Sequence, residues 1–277
     1  MSVTSLAGPH LVRPEARTAS VLSDAWVITQ RDLRHWVHEP WGVIIGWLFP
    51  VMSVLLFGGL FGGAMTVPGA DYFAFLIPGM FALTMLFGLE STMMAITTDA
   101  EKGVTDRFRS LPMNAAAVVL GRCCADMLNS IVALVIMVMT GLAVGWRWQN
   151  GLLPALAAAG LLLLLRFALL WVGISIGLRA RGPQAVTAVQ ILVWPVGFLS
   201  SVFVDPASMP RVLGAVATWN PLSITAAATR ELFGSPGYGG NTWIAQHAIE
   251  MAIVLPLAIT AVFLPLSAQA YRNLSRS

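Results

Sequence analysis

Apolar residues fill six long stretches of this chain, at about 43–63, 73–97, 127–145, 152–178, 185–204 and 247–269, and charged residues lie mostly between them. A helix rises about 1.5 Å per residue, so about 20 apolar residues cross the hydrocarbon core of a bilayer. The pattern predicts an all-α polytopic membrane protein whose residues 43–269 form one domain of six transmembrane helices. An even number of crossings puts both termini on the same side.

The segments around the spans have their own patterns. Residues 1–19 mix Ser, Thr, Pro and charge and are expected to be a flexible tail. In 20–41, Leu22, Ala25, Trp26, Leu33, Trp36 and Val37 share one side of a helix, while Asp24, Arg31, Arg34, His35 and His38 occupy the other. That amphipathic helix suits the membrane interface, and a helix packed on another part of the protein accounts for the same pattern. Between the fifth and sixth spans, residues 205–246 contain apolar stretches at 212–219 and 222–229 that are too short to cross, broken by Pro206, Pro210, Pro221 and Pro236. Short helices dipping into the outer leaflet, or a re-entrant hairpin, would bury them and satisfy their backbone groups. Residues 270–277 form the C-terminus.

Composition removes the soluble alternative. Of the 277 residues, 57% are hydrophobic and 10% charged, with a mean hydropathy of +0.77, against about 25% charged in an ordinary soluble domain. The net charge of +3 comes almost wholly from arginine. Those arginines fall in particular loops rather than on one basic face, which argues for membrane topology and against nucleic-acid binding. Arg13, Arg17, Arg31, Arg34, Lys102, Arg107, Arg109, Arg122, Arg179, Arg181, Arg272 and Arg276 share one side, and Arg147, Arg211 and Arg230 take the other. The rich side is expected to be cytoplasmic, in a bacterial inner membrane, with both termini inside. Trp146, Trp148 and Trp243 then belong to an outer aromatic belt and Trp41 and Trp47 to an inner one. The first 40 or so residues have no sustained apolar core, so no cleavable signal peptide is expected. Cys123 and Cys124 are sequence neighbours and make a poor disulfide.

Catalytic chemistry finds little support. His10, His35, His38 and His247 are scattered, with no HExxH, nucleophile elbow or paired carboxylates in a span. His35, His38 and Glu39 have loose ligand-like spacing that the polar face of helix 20–41 also explains, and no metal site is assigned. A P-loop is absent because the single lysine, Lys102, follows Glu101 and precedes Gly103. Any energy from nucleotide would come from another polypeptide. Glu90 and Arg166 are ionisable residues inside spans, at a cost of roughly 2.5–3.5 kcal/mol each on insertion scales. Both fall toward the cytoplasmic half, so an ion pair between them is expected, with substrate contact as the alternative. Gly58, Gly59, Gly62 and Gly63, and Gly173 with Gly177, mark close helix approach, either at a dimer seam or within one subunit. Met80, Met85, Met93 and Met94 offer an adaptable apolar surface or ordinary packing.

The loop at 98–113 is short and dense in charge. Val104, Phe108 and Leu111 recur at helical spacing, Asp106, Arg107 and Arg109 project elsewhere, and Pro112 ends the run. Composition alone fits either a docking knob or an ordinary positive-inside loop. The run Glu101-Lys102-Gly103 with Asp106-Arg107-Phe108-Arg109-Ser110-Leu111-Pro112 resembles the coupling loop of ABC-2 type transporter permeases, in particular the daunorubicin-resistance (DrrB-like) drug exporter branch. Trp219-Asn220-Pro221-Leu222 and Arg230-Glu231-Leu232-Phe233-Gly234 are similar to that family's pattern before its last span.

The resemblance implies a homodimeric permease with two copies of a separate ABC ATPase, which binds ATP and Mg; the permease chain itself carries no cofactor and is not an enzyme. It implies that the interfacial helix, with Trp26, Leu33 and Trp36, and the loop residues Glu101, Lys102, Gly103, Asp106, Arg107, Phe108, Arg109, Leu111 and Pro112 contact that ATPase. Phe108 and Leu111 would anchor and the charges orient. The expected cargo is a drug-like or lipophilic natural product, giving antibiotic resistance. A lipid-linked polysaccharide or glycolipid is the alternative on the same fold, and a non-transporting membrane scaffold the alternative outside it.

Overall fold

The computed structural model describes residues 21–63, 72–101, 115–180, 183–235 and 242–274, and among these the regular structure is helical, with no strand. Helix α1 (Val21–His38) leads into α2 (Pro40–Phe61), followed by α3 (Tyr72–Glu101), α4 (Ala115–Ala143), α5 (Leu152–Gly177) and α6 (Pro183–Phe198). A single 3-10 turn (Pro206–Ser208), α7 (Arg211–Trp219), α8 (Pro221–Phe233) and the one-turn α9 (Trp243–Gln246) precede the last long helix, α10 (Ala248–Leu274). Contacts fix the directions. Gly173 and Gly177 of α5 pack on Leu89, Thr92 and Ile96 of α3, so these helices run parallel, whereas Gly197 of α6 meets Leu83 and α6 runs opposite to α3. The long helices therefore alternate along the chain as sequential crossings must, and α1 shares one end of the bundle with the last turns of α3, α5 and α10.

Helices α2, α3, α4, α5 and α10 are each long and apolar enough to cross a membrane. The fifth expected span is shorter than 185–204 implied: α6 has 16 residues, or about 24 Å of rise. It stops early because a side chain from the segment that follows satisfies the carbonyls at its end. Asn220 Nδ2 donates to the carbonyls of Val196 and Leu199, both at 2.8 Å. A helix end without such partners would be costly in apolar surroundings.

Asn220 also starts α8. Its side-chain oxygen accepts from the Leu222 amide at 2.9 Å, and Pro221 sits in the first turn, where its missing N–H costs nothing. Gly234, at φ 69°, ends the helix in the left-handed conformation that glycine tolerates. Between these caps α8 is buried along Leu222 to Ala226, Ala228 to Arg230, and Phe233. It is wedged among α3, α5 and α10 at the end remote from α1: Ile224 and Ala228 join Leu161, Ile244, Ala248 and Ala252 in one cluster, while Leu222, Ala226 and Phe233 join the main core of α3 and α5. Helix α7, in contrast, exposes Val212, Val216 and Trp219.

Helix α3 is the centre of the bundle, with 78% of its apolar window buried against 11% for α10. Met80, Met85 and Met93 are buried in its core contacts and only Met94 is exposed, so three of the four methionines serve packing. Trp41 and Trp243 are exposed as belt residues would be, but Trp146 is buried, edge-on to Phe81 and Phe233, with its indole N–H donating to Ser235 Oγ at 3.2 Å. The expected outer-belt role fails for Trp146 because the loop after α4 folds inward over the end of α8. Gly58 packs on the Phe73 ring, Gly173 and Gly177 let α5 approach α3 within this subunit, and Gly59 and Gly63 face open space.

A Cβ on Gly173 would lie 3.0 Å from the Leu89 carbonyl oxygen, a backbone atom that cannot move aside. Gly173→Leu should therefore cost about 1–3 kcal/mol through overpacking, read as a lower denaturation midpoint in detergent, whereas Gly59→Leu should leave the midpoint unchanged.

Candidate functional site

At the end of the bundle that carries α1, charged and polar side chains from four helices form a connected series. Arg166 lies deep in α5 and is 1% exposed. Its Nε–H donates to Ser130 Oγ on α4 at 2.8 Å and its Nη2 donates to Thr92 Oγ1 on α3 at 2.7 Å. Thr92 Oγ1 in turn donates to Asp126 Oδ2 at 2.7 Å, and that carboxylate oxygen lies 3.9 Å from Arg166 Nη2. Ser130 Oγ donates to the Asp126 carbonyl, so both hydroxyls that hold the guanidinium are themselves oriented by Asp126. Arg166 reaches this position because Gly88 is opposite: a Cβ there would lie 2.4 Å from Arg166 Nε.

From Asp126 the series continues outward. Its second carboxylate oxygen lies 3.7 Å from Arg122 Nε, one turn back on α4. Arg122 Nη1 is 3.3 Å from Asp99 of α3 and 3.4 Å from Asp32 of α1, and Arg31 closes the series on Asp32 at 2.7 Å and on Asp99 at 3.5 Å. Three arginines and three aspartates thus alternate from the interior of α5, through α4, to the N-terminal helix and the end of α3. The series is neutral, which is the condition for keeping charge in an apolar bundle. Helix α1 is fixed to it by a second contact. Thr29 Oγ1 lies 3.0 Å from the Gly121 carbonyl, and a Cβ at Gly121 would stand 2.5 Å from the Ala25 carbonyl oxygen.

The expected Glu90–Arg166 pair does not form. Glu90 accepts a hydrogen bond from Gln190 Nε2 of α6, and Arg166 takes Asp126. Glu90 and the Arg166 contact lie on different faces of α3: Gly88 and Thr92 meet Arg166 of α5, and residue 90 lies about 200° around the helix from either. Asp126 was missed because the third span was begun at residue 127, whereas α4 starts at Ala115 and carries Arg122, Asp126 and Ser130 at intervals of four along one face. That i, i+4, i+8 spacing was the available signal. Trp26, Leu33 and Trp36 do sit on α1, but the face packed on α4 is Ala25, Ile28, Thr29 and Asp32, and Trp26 is exposed. The amphipathic helix therefore uses one flank for protein and presents Leu22, Trp26 and Val37 outward. His35 lies 3.9 Å from Glu39. Glu101 is the last residue of α3, and Lys102, Gly103, Asp106, Arg107, Phe108, Arg109, Leu111 and Pro112 lie outside the described residues.

The model of the ABC-2 type transporter family matches residues 23–233. The chain is 32% identical over 265 residues to the daunorubicin resistance ABC transporter permease protein DrrB1 of Streptomyces coeruleorubidus, covering 94% of this chain and 89% of that one. It is 26% identical over 243 residues to a probable doxorubicin resistance ABC transporter permease protein, DrrC, of Mycobacterium tuberculosis, covering 83% and 85%. A putative transport permease, ycf38, of Pyropia yezoensis is 25% identical over 215 residues, covering 76% and 73%.

Removing one charge from the series leaves its neighbours uncompensated. Asp126→Asn should destabilise by about 3–5 kcal/mol, and the double variant Asp126→Asn with Arg166→Met should lose less than Asp126→Asn alone, because the stranded cation is gone. Denaturation midpoints of the wild type, Asp126→Asn, Arg166→Met and the double variant in one detergent measure this coupling; losses that simply add would show the two residues to be independent.

Proposed function

Because this chain belongs to the ABC-2 type transporter family as a multi-pass permease subunit, we propose that it exports a lipophilic, drug-like compound outward across the bacterial inner membrane, driven by a separate ABC ATPase. The relatives named for daunorubicin and doxorubicin resistance support the cargo class. An ABC permease works with an ATPase; the finer reading is two ATPase copies, holding ATP and Mg, on a homodimer of this chain, with α1 and the loop after α3 as the contact and both termini on the cytoplasmic side. Phe108 and Leu111 anchor that contact in a cleft, and Glu101, Lys102, Arg107 and Arg109 orient it.

The observation that carries the coupling is the charge series. Asp32 on α1 and Asp99 near the end of α3 share Arg122, and Arg122 leads through Asp126 to Arg166. A push from an ATPase on α1 or on the loop changes the distances around Arg122. Because Asp126 and Arg166 are buried and neither can be left unpaired in an apolar interior, the rearrangement is passed to α5 rather than absorbed locally. Transport then follows from α5 and α3 shifting against the other helices, with the compound released where α8 closes the far end.

One observation favours the alternative cargo. Phe49, Phe87, Trp194, Phe198 and Phe57 form a continuous series of ring contacts across α2, α3 and α6, with Phe49, Trp194 and Phe198 exposed. Rings of this kind stack on sugars as well as on flat drugs, so the series also suits a lipid-linked polysaccharide or glycolipid.

Purification of the tagged chain from native membranes in mild detergent should recover an ABC ATPase at equal stoichiometry, and Phe108→Asp with Leu111→Asp should lose it; recovery of no ATPase would leave the scaffold reading. Arg122→Gln should keep the ATPase but reduce ATP-dependent doxorubicin uptake into inverted vesicles by roughly tenfold, within the ~1–3 kcal/mol usual for coupling between sites. Unchanged uptake would remove the charge series from the coupling route.

A further inference from the structure

Arg179 lies outside the charge series and has a different setting. It follows the last turn of α5, is exposed, and reaches across to α10. Nη1 donates to the Ser175 carbonyl at 2.8 Å and contacts Ser175 Oγ, and Nη2 donates to the Leu266 carbonyl at 3.1 Å. A guanidinium has five N–H donors. Three are used here, so the Nε–H and one Nη2–H have no acceptor among the described residues. Beside them is an open groove of about 500 Å³ between α5 and α10, lined by Ser175, Ile176, Arg179, Ala180 and Leu266. Among the described residues its wall is apolar except for Ser175 and the Arg179 guanidinium, and includes no acid.

The groove lies on the flank of the least buried span. Helix α10 exposes Val262 and Leu264 just before Leu266, and in a multi-pass protein that surface meets acyl chains. The guanidinium sits just past the end of α5, where a helix that crosses a bilayer reaches the headgroup region. An apolar trough that ends at a cation held rigidly by two helices matches a molecule with a hydrocarbon chain and an anionic head. The two remaining N–H groups can each bond a phosphate oxygen, a charge-assisted contact stronger than a neutral one. A zwitterionic headgroup would bring an ammonium to a wall whose described residues offer it no carboxylate.

We propose that this groove binds an anionic phospholipid, with its phosphate on Arg179 and one acyl chain along Ile176, Ala180 and Leu266. The bound lipid bridges α5 and α10 at the end where Arg179 already joins them. The site is independent of the ATPase and of the exported compound, so it can stand or fall without the transport reading.

The test uses the purified full chain in a neutral detergent, with its unfolding midpoint followed by tryptophan fluorescence. Phosphatidylglycerol should raise the midpoint by several degrees, and phosphatidylcholine with the same acyl chains should not. Arg179→Gln should lose most of that increment, while Arg147→Gln, an exposed arginine on the far side, should keep it. Increments rather than absolute midpoints are compared, because Arg179→Gln also releases the Leu266 carbonyl; native mass spectrometry should independently show one fewer bound phosphatidylglycerol per chain in that variant. Equal stabilisation by phosphatidylcholine, an undiminished increment and lipid count in Arg179→Gln, or the same increment from inorganic phosphate alone would overturn the proposal.

Discussion

Burying a full positive charge in an apolar helix bundle is the constraint on which the rest of this structure depends. Among the described residues two arginines, Arg166 and Arg230, are almost completely buried, and both are brought against α3 at a glycine. A Cβ on Gly88 would overlap the Arg166 guanidinium, and a Cβ on Gly79 would lie 2.8 Å from Arg230 Nη2. At these two points the central helix is reduced to bare backbone so that a guanidinium can be seated. The two seats use different chemistry. Arg166 has a carboxylate and two hydroxyls from neighbouring spans, whereas Arg230 donates to the carbonyl oxygens of Phe75, Ser201 and Val202 and lies 3.7 Å over the Phe75 ring. The first couples charges that can be rearranged. The second couples backbone, and holds the turn after α6 and the wedge α8 to the far end of α3.

That difference separates the two ends of the molecule in mechanical terms. At the α1 end, the series from Arg31 to Arg166 draws its members from four helices, and several of its distances lie between 3.3 and 3.9 Å. Such contacts are long enough to exchange partners without losing the overall charge balance. At the opposite end, α8 is capped by Asn220 and Gly234, wedged among three spans and held by Arg230. The result is a flexible electrostatic joint near the expected ATPase side and a packed closure at the other.

Much of this was legible in the sequence. Long apolar runs fixed the number and order of the crossings, and the caps Asn220-Pro221 and Gly234 mark α8 in residue type alone. What failed did so for geometric reasons. Apolarity locates the part of a helix inside lipid but not its full length, so α4 was begun twelve residues late and Asp126 fell outside it. Depth along a span is readable from its ends, but azimuth depends on which neighbours pack where, so Glu90 and Arg166 were joined across two different faces of α3. The length of α6 could not be read because its end is set by Asn220, more than twenty residues away. The seats for buried charge were equally hidden, since Gly79 and Gly88 look like ordinary small residues until the arginines opposite are known. Arg230 shows the same limit: its place with Arg147 and Arg211 on the sparsely charged side follows from loop charge counting, which carries no information about a short helix folded back into the bundle.

The two arginine seats also constrain how motion can pass through the protein. Helix α3 runs continuously for 30 residues, about 45 Å, with Asp99 at one end, Gly88 in the middle and Gly79 toward the other. A displacement at Asp99 cannot be confined to the last turn, because Thr92 ties the same helix to Arg166 and Asp126 two turns further on. It can be confined at Pro78, the one proline within α3, which removes a backbone hydrogen bond immediately beside the Arg230 seat. The helix is thus rigid from the charge series up to the closure and weakened where the closure is attached. If α8 is to yield when the α1 end is driven, the movement has to be expressed at Pro78, where Arg230 and the turn at Ser201–Val202 bear on the backbone. A wedge seated on the backbone carbonyls of Phe75, Ser201 and Val202 at a weakened turn can be released as a unit.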